Sequence, residues 1–266
     1  MNHNDSLERT VSRSLRLLCF ALIGWTNVAT AEQYVILSLV GDRLTVVGAE
    51  RQVGSNLDRN RQQVVALNDS SLDDFAVRVA DAVIRKARPS ATINMLRAGD
   101  PSLYAMRDTW LGSDSINAQT LVSIVAKLSP PSPDARLLLI APHRDELDLR
   151  TGESHLFTGS KIAGLGFYVD QQTFLRSGNE TNMETGRGFL GLFANFQLVL
   201  INLQTNAVEA YEKIAVGTTR AASRAADKNP WNAISAEQKI QVLQGLMKHE
   251  IERALPGMVS AASAKP

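Results

Sequence analysis

Two periods of apolar and polar residues run along this chain, and the places where one gives way to the other mark its elements. Tyr34–Val40 and Leu44–Val47 are apolar, β-branched runs separated by Gly41-Asp42-Arg43, a pattern that predicts a β-hairpin with a tight turn. A polar, Arg-rich stretch from Glu50 to Gln62 and a short strand at Gln63–Leu67 follow. From Ser71 the period becomes helical: Leu72, Phe75, Ala76, Val79, Ala80, Val83 and Ile84 share one face, Asp73 and Asp74 sit in the first turn, and Lys86, Arg88 and Pro89 close the segment. Ala91–Leu96 reads as a strand. Asp100-Pro101 is an N-cap with proline at the first helical position, which starts a short helix running to Leu111. Ser115 caps another helix with Leu121, Ile124, Val125 and Leu128 on one face, and Ser129–Pro133 breaks it.

The second half changes character. Arg136–Ala141 is almost continuously apolar, as a central strand covered on both faces must be. Glu146–Arg150 alternates, Thr151-Gly152 can turn the chain, and Lys161–Asp170 is a β-prone run whose two glycines point to a bulge or a close backbone contact. Leu175–Arg187 is rich in Gly, Asn and Thr and reads as a mobile loop. Phe189–Leu203 and Val208–Val216 form a long hairpin across Gln204-Thr205-Asn206-Ala207. After a polar connector, Thr218–Asn232, comes a capping box at Ser235–Gln238 and a helical stripe of Ile240, Leu243, Met247, Ile251, Ala254 and Leu255. Pro256-Gly257 is expected to end that helix and leave 258–266 as a disordered tail. The pattern predicts a single α/β (α+β) domain over 32–257, with a mixed, mainly antiparallel sheet, packed helices and a C-terminal helix.

Residues 1–31 carry the marks of a secretory signal peptide. Arg9, Arg13 and Arg16 precede the apolar core Leu17–Trp25, and Ala29-Thr30-Ala31 places cleavage between Ala31 and Glu32. Cleavage there removes the lone cysteine, Cys19, together with three of the 28 basic residues and two of the 27 acidic ones, leaving 25 of each. The mature chain therefore has no disulfide, no thiolate ligand and no cysteine nucleophile. Its balanced charge argues against nucleic acid as a partner, and no apolar run after the leader is long enough to span a membrane. The expected compartment is the periplasm.

Candidate chemistry is sparse. His143-Arg144-Asp145-Glu146 lies just past the apolar strand Arg136–Ala141, where α/β folds place functional groups. The run Pro142–Glu146 resembles the strand-end motif of zinc-dependent de-N-acetylases. That resemblance implies a metal-dependent hydrolase, with His143, Asp145 and His155 as ligands and Glu146 beside them; a catalytic zinc takes three protein ligands and keeps one position open. Gly164-Leu165-Gly166 lacks the remaining parts of a dinucleotide fingerprint, and no serine sits in a Gly-x-Ser-x-Gly elbow. A third reading is a small-molecule module with a pocket near Phe167–Asp170.

The order of elements resembles a group of bacterial envelope proteins: the curli secretion component CsgG, the lipoprotein activators of penicillin-binding proteins, and the amino-terminal domain of TolB. In that group the final hairpin often reads residue–Leu-Val-Asp–x–x–Thr-Gly–x–Val at its turn. Leu200-Ile201-Asn202-Leu203-Gln204-Thr205-Asn206-Ala207-Val208 is similar, with Asn206, which tolerates positive φ, in place of glycine. The chain is also similar in texture to other exported proteobacterial proteins. The resemblance implies a soluble, non-catalytic periplasmic accessory protein that binds an envelope protein partner and takes no cofactor. Its contact surfaces would be the turn Gln204, Thr205, Asn206 and the loop residues Asn179, Glu180 and Thr181.

Overall fold

The computed structural model describes residues 32–50, 60–109, 118–128, 132, 134–151, 154–177 and 184–263, all within the compact unit Glu32–Pro266. In chain order the elements are β1 (Gln33–Ser38), β2 (Arg43–Gly48), β3 (Arg61–Ala66), α1 (Ser71–Ala87), β4 (Thr92–Leu96), α2 (Pro101–Asp108), α3 (Ala118–Leu128) and β5 (Ala135–Pro142). Then follow β6 (Arg144–Thr151), β7 (Ser154–Ser177), β8 (Glu184–Asn202), β9 (Val208–Ala221) and α4 (Ala236–Ser263). The strands form one mixed, mainly antiparallel sheet, so the α+β architecture read from the sequence is the observed one.

β1 and β2 do not form the expected hairpin. β1 pairs in parallel with β4 on one side and β5 on the other, whereas β2 pairs with β3 and β7. The reason lies in β1 itself. Tyr34 and Ile36 enter one core and Val35 and Leu37 another, so both faces are buried, which suits a central parallel strand. α1 and α4 cover the first face, and α2 and α3 cover the second beneath β1 and β5.

β5 and the second half of β7 lie end to end along β8: Pro142 pairs with Phe196 and Gly164 with Asn195. Between them the chain leaves the ladder as a hairpin, β6 with the first half of β7. Gly164 makes the bend at a φ of 81° that a side chain would strain. Asn195, fully buried, pins the fork, its amide donating to the carbonyls of Ile162 (2.9 Å) and Asp145 (3.3 Å). The hairpin folds back over β8 and β9 and buries Leu147 and Leu149. A Cβ at Gly217 would come within 2.6 Å of Leu149, so the absence of a side chain lets the layers meet.

Several boundaries differ from expectation, among them that of β9, which takes in Thr218–Ala221 where a connector was expected. Leu175–Arg187 is not a loop throughout, because Leu175–Ser177 pairs with Glu184–Gly186 and only 178–183 falls outside the described residues. The helix at the C-terminus passes through Pro256 to Ser263, so 258–263 is no disordered tail. Met258, Val259 and Ala262 continue the buried stripe of Ile251 and Leu255, while Arg88 and Arg136 donate to the last-turn carbonyls of Val259 and Ala262. The predicted capping box at its start is formed: Gln238 N–H donates to Ser235 Oγ, and Ser235 N–H to Gln238 Oε1. Among the described residues no helix is long and apolar enough to cross a membrane.

Tyr34, fully buried at the start of β1, donates to Glu32 Oε2 at 3.0 Å. Burial, then the Glu32 charge, pushes its phenol up to about 12. A folded-state pKa above the unfolded value of about 10 means the folded protein holds this proton more tightly. Its contribution is complete below pH 10 and is lost as the pH rises through 12, at about 1.4 kcal/mol per pH unit. Urea unfolding at pH 9.5 and 11.5 is expected to show a smaller alkaline loss for Tyr34→Phe than for the parent protein.

Candidate functional site

β1 lies between two parallel neighbours reached by connections on opposite faces of the sheet. The chain goes through α1 to β4, then through α2 and α3 on the other face to β5. Beyond the carboxyl end of β1 is thus a topological switch point, where open α/β sheets leave a crevice. Protein side chains fill its floor. Asp73, in the first turn of α1, accepts at one oxygen from Ser38 Oγ (2.5 Å), Val40 N–H (2.9 Å) and Gly41 N–H (3.0 Å), and at the other from Tyr104 Oη (2.8 Å). Burial outweighs these hydrogen bonds and raises its carboxyl above the usual range. Arg107, 1% exposed, grips Asp42 through both terminal nitrogens and also reaches the Leu39 carbonyl and Asp108.

Beside this floor a cleft of about 280 Å³ opens at the fork between β5 and β7. Arg43 and Thr45 from β2, Gln62 and Val64 from β3, Arg144 from β6, and Lys161 and Gly164 from β7 line it. Arg43 pairs with Asp42 and Asp108. Arg144 donates from Nε to the Lys161 carbonyl at 3.3 Å, and both side chains are exposed. Asp42, the carboxylate in the lining, is already held by Arg107.

The residues proposed as metal ligands are not brought together. His143 and Asp145 stand at the base of the hairpin, Nε2 and Oδ2 3.7 Å apart, with Glu146 exposed beside them. His155 faces Arg150 at the far end, roughly 20 Å along the strand, where its Nδ1 meets Asp148 at 2.8 Å. An extended hairpin separates what a compact turn would have gathered. Among the described residues no group of three or more His, Cys, Asp or Glu is placed to hold a metal ion.

Gln204, Thr205 and Asn206 form the exposed turn of the β8–β9 hairpin. Asn206 takes the positive φ expected of it, 59°, and Asn202 Oδ1 accepts the amides of Gln204 and Thr205. Asn179, Glu180 and Thr181 lie outside the described residues, as does Ala31; Glu32 pairs with Arg88. The turn follows the carboxyl end of the 19-residue β8. Near Phe167–Asp170 there is a polar cavity of about 300 Å³ lined by Glu50, Tyr168, Asp170, Thr173 and Arg187. Its Asp170 is engaged by the amides of Gln172 and Thr173 at the β7 bulge, and Phe167 packs edge-on to Trp231.

The basic cleft was missed by reading the sequence, because Arg43, Gln62, Arg144 and Lys161 are remote from one another along the chain. Its one available signal was Arg144 directly after an apolar central strand.

No family model and no curated protein matches the chain. Among solved structures it is similar to the hypothetical protein CT253 from Chlamydia trachomatis, at 8% identity over 87% of this chain and 99% of that one, with a TM-score of 0.30, a likeness too slight to carry an argument.

Proposed function

We propose that this chain is an exported, non-catalytic binding protein of the bacterial cell envelope that takes its partner in the cleft at the fork of β5 and β7. The observation that carries this reading is the make-up of the cleft wall. It offers guanidinium, ammonium, amide and hydroxyl groups, while its carboxylate, Asp42, is committed to Arg107. Such a wall recognises a ligand but supplies no nucleophile activated by a base. The leader-like residues 1–31 and the turn motif at Leu200–Val208 support the envelope setting.

A photo-crosslinking residue at Val64, on the cleft wall, tests this in the native host, with one at Gln204 for comparison. Val64 is expected to trap one reproducible envelope component, from protein whose mass places the amino terminus at Glu32. A product from Gln204 alone would move the contact to the hairpin turn. Products from neither position, or an unprocessed cytoplasmic protein, would overturn the proposal.

A further inference from the structure

We infer that the cleft is a site for a phosphate group, held by Arg144 and Lys161 with Arg43 at its edge; this rests on reading the cleft as the binding surface. The charges around it divide into two sets. Arg43 and Arg107 are matched by Asp42 and Asp108 in one network. Arg144 and Lys161, among the described residues, have no carboxylate within ion-pair distance. Glu146 lies opposite Lys161 in the ladder, yet makes no ion pair with it and is not part of the wall. Two cations that make no ion pair therefore face one cavity from the two strands of the hairpin base.

That excess matches a phosphate monoester, which carries a charge of about −1.5 to −2 at neutral pH. A carboxylate would satisfy only one of the two cations. Arg144 offers a planar fork to two oxygens and Lys161 a mobile point charge to a third. Thr45 and Gln62 on the wall add a hydroxyl and an amide to the donor set. Because Arg144 and Lys161 belong to the hairpin and Arg43 to β2, a bound phosphate ties the hairpin base to the main sheet.

The test uses the purified protein at constant ionic strength with two probes, glycerol 3-phosphate in solution and vesicles containing phosphatidic acid, which separate a free phosphate ester from a lipid headgroup. Saturable binding of either probe is expected, weakened about tenfold or more by Arg144→Gln and by Lys161→Gln, since each removes a charge-assisted hydrogen bond to the phosphate. Both side chains are exposed, so both variants are expected to fold, and their melting curves verify it. Binding of the soluble ester is also expected to slow amide exchange in Arg144–Thr151. Binding of neither probe, or equal binding by the parent and both variants, would overturn the phosphate assignment. If that happens while Val64 still traps a component, the binding-protein reading stands without it; loss of the Val64 product removes both.

Discussion

Asp73→Ala is expected to destabilise the protein by about 3–5 kcal/mol, while Asp73→Asn costs no more than about 1–2 kcal/mol. In the alanine variant, Val40 N–H, Gly41 N–H, Ser38 Oγ and Tyr104 Oη all lose their acceptor in the interior. An unsatisfied buried donor costs about 1–3 kcal/mol, and the four relax partly toward other partners, which keeps the sum below simple addition. At about 2–4 °C per kcal/mol for a chain of this size, the melting temperature falls by roughly 6–20 °C. Asparagine keeps one oxygen for the three donors on the β1 side and turns its amide toward the Tyr104 oxygen. It also removes a titration. Burial raises the Asp73 carboxyl above its unfolded value near 3.9, so its contribution to stability is largest below that pH and declines as the pH rises through the folded value. The advantage of the parent protein over Asp73→Asn is therefore expected to shrink on going upward from pH 4. Urea titrations of the three proteins at pH 4, 5.5 and 7 check both statements. A mild alanine variant would mean that the loop after β1 does not depend on this carboxylate.

What was legible in the sequence follows from how local each determinant is. The helix over Ser71–Ala87, the Asp100-Pro101 start and the Ser235–Gln238 box are each written within a few residues, and the structure contains all three. The double-sided burial of Arg136–Ala141 was equally plain, because no polar residue interrupts it after Arg136. Partner choice was not plain. Tyr34–Val40 is apolar apart from Ser38, and the structure buries it beside β5. The nearby Gly41-Asp42-Arg43 suggested instead a turn to β2, although Asp42 in fact serves Arg107, 65 residues away. The cleft was hidden for the same reason. Its wall depends on the fork at Gly164 and Asn195, where β8 exchanges β5 for β7, and no local pattern announces a strand that changes neighbours midway. The candidate metal ligands depended on the intervening segment folding His155 back toward His143 and Asp145; an extended hairpin holds them apart instead.

Removing residues 256–266 is expected to cost about 3–5 kcal/mol and to lower the melting temperature by roughly 6–20 °C. A proline inside a helix removes one backbone hydrogen bond and crowds the preceding turn, costing about 3 kcal/mol in isolation. The helix nevertheless continues, so interactions beyond Pro256 must offset that amount. Two kinds are visible, buried side chains and capped carbonyls. Val259 and Ala262 are almost fully sequestered and Met258 nearly so, on the face that covers the sheet with α1. Burial of side chains this size contributes about 1.5–3 kcal/mol for Val or Met and less for Ala. Arg88 from the end of α1 and Arg136 from β5 place positive charge against the last carbonyls, where the helix dipole favours it. Truncation strips that cover from the sheet and leaves Arg136, only 9% exposed, to Glu209 and the more distant Glu32. Calorimetry of the parent and truncated proteins reads the difference directly. A Pro256→Ala variant separates the two opposing effects: it is expected to raise the melting temperature, because it restores the missing bond while keeping the buried stripe. An unchanged transition after truncation would mean that the last turns add nothing to the core.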